Sequence, residues 1–296
     1  MTADRVVVRE VGPRDGLQPE APIAIADRVA LIDALLAAGV TSIEAVAFVS
    51  PSAVPAMAGA AEVLAEIGRR DGVVMTALVP NPRGAEMAAS TGVVDELTAT
   101  ISISETYNQR NVHMSTEESV GVFGEICSFG LPVDAVVSCA FGSPYEGDIA
   151  PADVASLCGR LRREGAARIS LADTTGMATP RRIVEVVAAV DGDVGLHLHE
   201  TRGTGLVNAY AGLEVGVRRF DTSVGGLGGS PFAAGAAGNV ATEGLVALLD
   251  DLGYETGIDV DAMCEAAALV GSLLGRDVPS PVAHAGPRSR LAIGER

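Results

Sequence analysis

Two histidines placed two residues apart give this sequence its first chemical signal. His197 and His199 flank a leucine near the end of an apolar run, and they are two of only four histidines in the chain. If the run is a β-strand, residues i and i+2 point to the same side, so both imidazoles project together. The pair therefore indicates a metal site, with an ordinary buried histidine pair as the alternative.

A second signal lies near the start of the chain, in Gly12-Pro13-Arg14-Asp15-Gly16. Glycine and proline favour a tight turn that presents Arg14 and Asp15 side by side. The Asp15 carboxylate could bind a metal, and the Arg14 guanidinium could hold a carboxylate or an enolate. An ion pair on the surface of a turn is the alternative interpretation.

A glycine-rich segment gives the third signal. Six glycines fall between Gly225 and Gly238, and a segment of this composition usually moves or lets a ligand approach its backbone. Asn239 follows directly. Its side-chain oxygen could bind a metal, or the residue could instead cap the next helix.

Asp15, His197, His199 and Asn239 together would supply two oxygen ligands, two nitrogen ligands and no thiolate. Such a set, with positions left for water or substrate, suits an octahedral Mg²⁺ or Mn²⁺ better than a closed tetrahedral zinc site. The ion would act as a Lewis acid on neighbouring carbonyl, hydroxyl or carboxylate oxygens. These residues lie far apart in the chain, so the fold must bring them together.

The elements that could do so alternate along the sequence. Short β-branched runs alternate with longer alanine-rich segments of helical period, which predicts about eight βα units and, at this length, a (β/α)₈ TIM barrel. The predicted strands are Arg5–Val11, Ser42–Ala47, Val73–Val79, Glu96–Ser102, Val133–Cys139, Arg168–Ala172, Val194–Leu198 and Arg219–Ser223. The predicted helices between them are Asp27–Ala38, Val54–Arg69, Pro82–Ser90, Thr116–Phe129, Pro151–Glu164, Pro180–Ala189 and Gly205–Val215. An open doubly wound sheet is the alternative, but it would need a G-x-G-x-x-G after the first strand, which this sequence lacks there.

We predict one barrel domain over residues 1–275, with extra helices at Thr242–Leu252 and Val260–Leu274. Residues 276–296 are predicted to form a C-terminal tail that is partly flexible. Catalytic groups of such barrels occupy the carboxyl ends of the strands. Further polar or aromatic candidates near these ends, each a weak signal alone, are Gln18, Glu44, Phe48, Ser50, Asn81, Ser104 and Asp173.

Composition excludes several classes of protein. The chain has 296 residues, is 48% hydrophobic and has a mean hydropathy of +0.33, which excludes a disordered chain. A formal net charge of −17 without a basic stripe argues against nucleic acid or an anionic membrane as partner. We expect a cytoplasmic protein, because the sequence shows neither a signal peptide nor an uncharged apolar stretch of roughly 18 residues. The four scattered cysteines form no C-x-x-C pair and are predicted to be small buried side chains.

Eight motifs are the most specific part of a similarity to known sequences that extends from about Arg5 to Leu274. They are EVGPRDGLQ (Glu10–Gln18), FVSP (Phe48–Pro51), PN (Pro80-Asn81), SCAFGSPYEG (Ser138–Gly147), SLADTTG (Ser170–Gly176), HLHET (His197–Thr201), GGLGGSPFAAGAAGN (Gly225–Asn239) and TEGLV (Thr242–Val246). Together they resemble the 3-hydroxy-3-methylglutaryl-CoA lyases, within the metal-dependent TIM-barrel lyases and synthases related to isopropylmalate synthase.

The resemblance implies a retro-Claisen cleavage, in which a 3-hydroxy-3-methylglutaryl thioester yields acetyl-CoA and acetoacetate. It implies a divalent ion held by Asp15, His197, His199 and Asn239, and an Arg14 that stabilises the enolate of the departing acetyl-CoA. The implied acid/base and supporting groups are Glu44, Asp173, His197 and Ser230. The implied substrate-binding residues are Arg14, Gln18, Phe48, Ser50, Asn81, Ser104 and Arg202. An acyl-CoA substrate, a glycine loop that closes over it and a homodimer are further expectations from the resemblance.

The chain departs from the family pattern at two places. Ser230 stands in GGSP where the typical lyase loop reads GGCP, and a hydroxyl is a far weaker acid than a thiol. Glu200 and Arg202 replace an Asp-Thr-Tyr-Gly-like ending after the histidines. Two alternatives therefore stay open beside the leading activity. One is a lyase for another substrate, such as citramalyl-CoA or a longer-chain 3-hydroxyacyl-CoA, and the other is a catalytically impaired homologue that binds metal or acyl-CoA. We expect cleavage rather than condensation, because the segment after the last predicted helix is too short for the synthases' C-terminal regulatory domain.

Overall fold

The computed structural model describes residues 4–229 and 237–291, and eight parallel strands within them form a closed barrel. The strands follow one another around the barrel in chain order, and β1 pairs with β8 to close it. They are β1 (Val7–Glu10), β2 (Ser42–Ala47), β3 (Val74–Leu78), β4 (Glu96–Ser102), β5 (Val133–Ser138), β6 (Arg168–Ala172), β7 (Gly195–His197) and β8 (Arg219–Thr222). The predicted (β/α)₈ barrel is therefore confirmed, and the doubly wound alternative is wrong.

Helices connect the strands and extend beyond the last one. They are α1 (Ile25–Ala37), α2 (Ala60–Ile67), α3 (Pro82–Ser90), α4 (Glu105–Val112), α5 (Thr116–Cys127), α6 (Pro151–Arg163), α7 (Pro180–Ala189), α8 (Gly205–Glu214), α9 (Thr242–Leu252), α10 (Val260–Leu274), α11 (Pro281–Ala285) and α12 (Arg288–Leu291). The two helices predicted after the last strand are α9 and α10. The proposed domain division at residue 275 stays a prediction.

Apolar residues at helical spacing attach the helices to the barrel. In α1, Leu31, Ile32 and Leu35 are fully buried, as an apolar stripe facing the sheet requires. Local capping fixes where several helices begin. Ser115 and Glu118 form a capping box at the start of α5, which satisfies backbone N–H groups that have no partner within the helix.

Two parts of the predicted pattern are wrong. The helix predicted over Val54–Arg69 is interrupted: a short 3₁₀ turn, Pro55–Met57, precedes α2. Gly59 has a left-handed backbone (φ 75°) immediately before α2, and this conformation breaks a continuous helix. Helix α4 was not predicted because its sequence, ETYNQRNV, is almost wholly polar. Several observed strands are also one or two residues shorter at an end than predicted.

The cysteines are mostly buried side chains, as predicted. All four cysteines are unpaired; Cys139, Cys158 and Cys264 are buried, and Cys127 is half-buried. Within residues 4–229 and 237–291, no helix has the length and apolar character needed to cross a lipid bilayer.

Candidate metal centre at the barrel mouth

The segment after β1 forms one π-helical turn, Gly12–Gly16, rather than a simple tight turn. The backbone N–H groups of Asp15 and Gly16 both donate to the carbonyl of Val11, at 2.7 and 3.2 Å. Glycine is required at Gly16, because a Cβ there would lie 2.5 Å from Ser223 Oγ. The turn therefore packs closely against the end of β8 and holds its side chains at the barrel mouth.

Three of the predicted ligand residues converge there. Asp15, His197 and His199 offer one ligand atom each within 4.8 Å of one another. His197 Nε2 lies 3.8 Å from Asp15 Oδ2, and the two imidazole centroids are 5.1 Å apart. These residues come from opposite ends of the sequence, and closure of the barrel brings them together.

Asn239 completes the set through its contacts with both neighbours. Its backbone forms an isolated bridge with His199, and its Nδ2 donates to Asp15 Oδ2 at 2.7 Å and to the carbonyl of Leu227 at 3.1 Å. Its Oδ1 is buried and has no hydrogen-bond partner among the described residues. A buried acceptor without a donor costs free energy, and a bound cation would satisfy it. The donor set therefore fits a divalent metal.

The alternative reading of Asn239 as a helix cap is wrong. Helix α9 begins at Thr242, and its N-cap residue is Ala241. Asn239 lies before that cap, in the bridge to His199, and its side chain contacts Asp15 rather than the start of α9.

The protonation states of Asp15 and His199 suit metal binding. Burial alone would raise the pKa of Asp15, but the charges of Arg14 and the two histidines lower it to about 2. Burial, together with the neighbouring His197, lowers the pKa of His199 to about 4. A carboxylate and a neutral imidazole are the forms that bind a metal, so both ligands are ready near neutral pH.

Arg14 is held between two carboxylates. Its Nη1 donates to Asp15 Oδ1 at 2.6 Å, and its guanidinium pairs with Glu44. Glu44 lies on β2 and is fully buried, and it accepts a hydrogen bond from the Thr98 hydroxyl group. Gln18 Oε1 lies 3.5 Å from Arg14 Nη1. The cation at the mouth is therefore positioned before any ligand arrives.

Sequence reasoning missed Asp221. Its Oδ2 lies 3.3 Å from His197 Nδ1, on the side of the ring away from Asp15. Burial would lower the pKa of His197, but the hydrogen bond to Asp221 and the charges of Asp15 and Asp221 raise it. The available signal was the single acid of a short predicted strand, RFDT, where a charge that faces the barrel interior is costly unless it is paired.

The metal centre opens into a cavity of about 640 Å³. Its polar lining includes residues predicted at this mouth, namely Arg14, Asp15, Gln18, Ser50, Asn81, His197 and His199. Its apolar wall includes Val122, Phe123 and Ile126 of α5. One cavity thus joins a charged end to a hydrocarbon wall.

Six predicted residues are not among those lining this cavity, although all six are described. Two of them, Glu44 and Asn239, contact the lining residues Arg14 and Asp15. Phe48 is buried in the apolar core. The Ser104 side chain caps α4 by accepting the backbone N–H of Tyr107 at 3.1 Å. Arg202 donates to two backbone carbonyls in the loop after β6.

Asp173 is the sixth of these residues. It is buried at the end of β6, and its Oδ1 accepts the backbone N–H of Ala178 at 2.8 Å. Burial raises the pKa of this carboxyl to about 7. Its neighbours Ala172 and Thr174 line the cavity. Ser230 lies outside the described residues.

Comparisons with known proteins agree with this geometry. A family model described as HMGL-like matches residues 5–270. The chain is 42% identical to a 3-hydroxy-3-isohexenylglutaryl-CoA/hydroxy-methylglutaryl-CoA lyase of Pseudomonas aeruginosa, over 95% of this chain and 97% of that protein. It is 41% identical to an (R)-citramalyl-CoA lyase of Chloroflexus aurantiacus, over 96% of each.

A solved structure is also similar over nearly the whole chain. It is an HMG-CoA lyase of Acinetobacter baumannii in complex with coenzyme A and 3-methylmalate. The two superimpose with a TM-score of 0.91 at 40% identity, over 98% of this chain and 97% of that one.

Proposed function

The chain belongs to the hydroxymethylglutaryl-CoA lyase family, and on this premise we propose that it cleaves 3-hydroxy-3-methylglutaryl-CoA to acetyl-CoA and acetoacetate in a divalent-metal-dependent reaction. The observation that carries the proposal is the convergence of Asp15, His197 and His199 beside the unpartnered Oδ1 of Asn239. The coenzyme A complex of the Acinetobacter relative supports an acyl-CoA as substrate.

Asp15, His197, His199 and Asn239 would hold the ion, which is Mg²⁺ or Mn²⁺ in this proposal. The mixture of oxygen and nitrogen donors supports that choice. When bound, the ion supplies Lewis-acid stabilisation to the substrate's hydroxyl and carboxylate oxygens.

Arg14 has the position for charge stabilisation in the bond-breaking step. Cleavage of the carbon–carbon bond leaves negative charge on the enolate oxygen of acetyl-CoA, and a guanidinium at the cavity wall can neutralise it. The pairs with Glu44 and Asp15 fix Arg14 in advance. A charge that is already oriented costs little reorganisation during the reaction.

Proton transfers occur at both ends of the broken bond. The substrate's tertiary hydroxyl must lose a proton, and the acetyl carbanion must gain one. Burial raises the pKa of Asp173 to about 7, which suits a proton exchange near neutral pH. We assign Asp173 to the acid/base group and Glu44 as the anchor of Arg14. His197 serves as a metal ligand, because its two ring nitrogens face the metal set and Asp221. Ser230 would be a further member of the acid/base group, and its hydroxyl is a weaker acid than the thiol of a cysteine.

The remaining binding assignments follow the cavity. Gln18, Ser50 and Asn81 line it and would contact the acyl-CoA. Phe48, Ser104 and Arg202 would support the walls from outside the cavity. A cytoplasmic location and a homodimer stay predictions.

A second candidate substrate is (R)-citramalyl-CoA. It is favoured by the 41% identity to the Chloroflexus enzyme over nearly the full length of both chains. Both candidates are 3-hydroxyacyl thioesters that need the same metal and the same Arg14.

The test is turnover by the purified protein with Mg²⁺ or Mn²⁺ against an EDTA control, measuring acetyl-CoA and acetoacetate. Metal-dependent release of both from hydroxymethylglutaryl-CoA is the expected result. Release of acetoacetate by the Ser230→Cys variant alone would support hydroxymethylglutaryl-CoA as the substrate. It would also show that the native Ser230 does not serve in the proton transfer. If neither protein releases acetoacetate, the substrate is wrong, and (R)-citramalyl-CoA is assayed next with pyruvate as the product.

A further inference from the structure

Arg9 is a buried cation inside the barrel that the proposed chemistry does not use. It lies on β1, is 6% exposed and is not among the residues lining the cavity. Its Nε donates to Asp221 Oδ1 at 2.8 Å, and its Nη2 donates to Asp221 Oδ2 at 2.7 Å. This two-point pairing of a planar guanidinium with a carboxylate fixes the orientation of both groups.

The strand register explains why this pair meets a metal ligand. Arg9 on β1 is paired with Asp221 on β8, and Asp221 is paired in turn with His197 on β7. The three residues are therefore direct neighbours across three adjacent strands at the junction where the barrel closes. Asp221 Oδ2 receives Arg9 Nη2 and also faces His197 Nδ1 at 3.3 Å.

Asp221 depends on Arg9 more than the other acids around Arg9 do. Arg9 Nη1 also approaches Asp134 at 2.9 Å and Glu96 at 3.7 Å. Each of those two acids has a second arginine as a partner: Arg219 lies 3.5 Å from Asp134, and Arg168 pairs with Glu96. Among the described residues, Arg9 is the only arginine that pairs with Asp221. Loss of Arg9 would therefore release Asp221 more than it would release the other two.

We propose that Arg9 is a positioning residue for the metal centre: it holds Asp221 so that this carboxylate accepts Nδ1–H of His197 and directs Nε2 toward Asp15. The inference rests on the metal site of the proposed function. A carboxylate behind a metal-binding histidine fixes the tautomer and the ring orientation, and its loss typically costs about 10–100-fold in metal affinity. Arg9 acts one step further back, through Asp221.

The test measures Mn²⁺ binding to metal-free protein, with free Mn²⁺ followed by electron paramagnetic resonance. Arg9→Met should raise the Kd for Mn²⁺ by about 10-fold. Arg9→Lys should raise it less, because lysine keeps the charge and loses the planar fork. Arg168→Met is the matched control, since Arg168 belongs to the same charge network but pairs with Glu96; its Kd should equal that of the wild type.

A second readout separates positioning from general damage to the fold. ¹⁵N NMR of histidine-labelled, metal-free protein, recorded at an alkaline pH at which the His197 ring is neutral, should report His197 as the Nδ1–H tautomer in the wild type and as a mixture in the Arg9 variants. Arg9→Lys retains the buried charge and serves if Arg9→Met does not fold. A folded Arg9 variant with the wild-type Kd overturns the inference. So does a raised Kd with the wild-type tautomer, because the effect would then not pass through His197.

The two proposals fail in different ways. A wild-type protein that binds no Mn²⁺ overturns the proposed metal centre and this inference with it. A wild type that binds Mn²⁺ normally, beside Arg9 variants that bind it equally well, overturns only the role of Arg9.

Discussion

The side chain of Asn239 donates a 2.7 Å hydrogen bond to Asp15 across 224 positions of the chain. The two residues follow β8 and β1, the strands whose pairing closes the barrel. Their contact therefore depends on the closed barrel and not on any local motif. The ligand set exists only in the folded protein, so metal binding requires a closed barrel.

His199→Ala should remove metal binding while leaving the barrel folded. The variant loses one of the converging nitrogen donors, so its loss of Mn²⁺ affinity should exceed the about 10–100-fold typical of losing an outer hydrogen-bond partner. Turnover should disappear with it. Calorimetric titration with Mn²⁺ measures the first effect. His284→Ala is the control, because His284 bonds a backbone carbonyl in the C-terminal region. Turnover that survives in His199→Ala would contradict the ligand assignment.

Arg14→Gln should lower kcat by about 10²–10³-fold, the usual cost of removing one charge-stabilising donor from a reacting oxygen. Mn²⁺ should still bind, because Arg14 is not among the metal ligands. Steady-state kinetics with saturating metal measures the change. Arg69→Gln is the control, since Arg69 is exposed and pairs with Asp95. A kcat close to that of the wild type would remove Arg14 from the bond-breaking step.

Asn81→Ala should lower the free energy of unfolding by about 1 kcal/mol, because Asn81 caps α3 by accepting the backbone N–H of Gly84 at 2.9 Å. It should also raise KM, because Asn81 lines the cavity. Asp259→Ala removes a comparable cap from α10 and should lower stability without changing KM. Denaturant unfolding and substrate titration separate the effects. An unchanged KM in Asn81→Ala would assign the residue to helix capping alone.

Glu10→Gln should change how stability depends on pH. Burial raises the pKa of Glu10 from 4.5 to about 7, above the value in the unfolded chain. The stability contributed by its neutral form is complete below about pH 4.5 and is lost as the pH rises through about 7. Glutamine keeps that neutral form, and its oxygen can still accept the N–H groups of Gly12 and Val224.

The variant should therefore gain stability relative to the wild type across this pH range, on the order of 1 kcal/mol per pH unit. Denaturant unfolding at a series of pH values measures the difference. Glu62→Gln, at an exposed position of α2, should give a constant difference. A constant difference for Glu10→Gln would show that Glu10 has the same pKa in the folded and the unfolded chain.

Local patterns predicted much of this fold because periodicity is a local property. Strand β4 and helices α9 and α10 have the ends expected from their apolar spacing. Helix α4 has almost no apolar spacing, and only Tyr107 and Asn108 in it are buried. Its start is set by the Ser104 side chain, and a single serine after a strand does not distinguish a cap from a loop.

The site was predictable where residue type and strand position were enough. Asp15 and His197 come together because strand ends meet at one face of a barrel. Arg9 and Asp221 could not be assigned a role, because their relation to His197 depends on the register of three strands. Arg202 shows the converse. It was expected to bind substrate at the mouth, but its guanidinium donates to the backbone carbonyls of Thr175 and Gly176.

The closing pair of strands also orders events during protein synthesis. Asp15 leaves the ribosome early, whereas β7, β8 and Asn239 are made only after most of the chain. A nascent chain that ends before β7 has one carboxylate of the set and neither imidazole, which is too little to retain a divalent ion against water. On the proposed ligand set, a metal ion can therefore be held only after β7, β8 and Asn239 have been made and the barrel has closed.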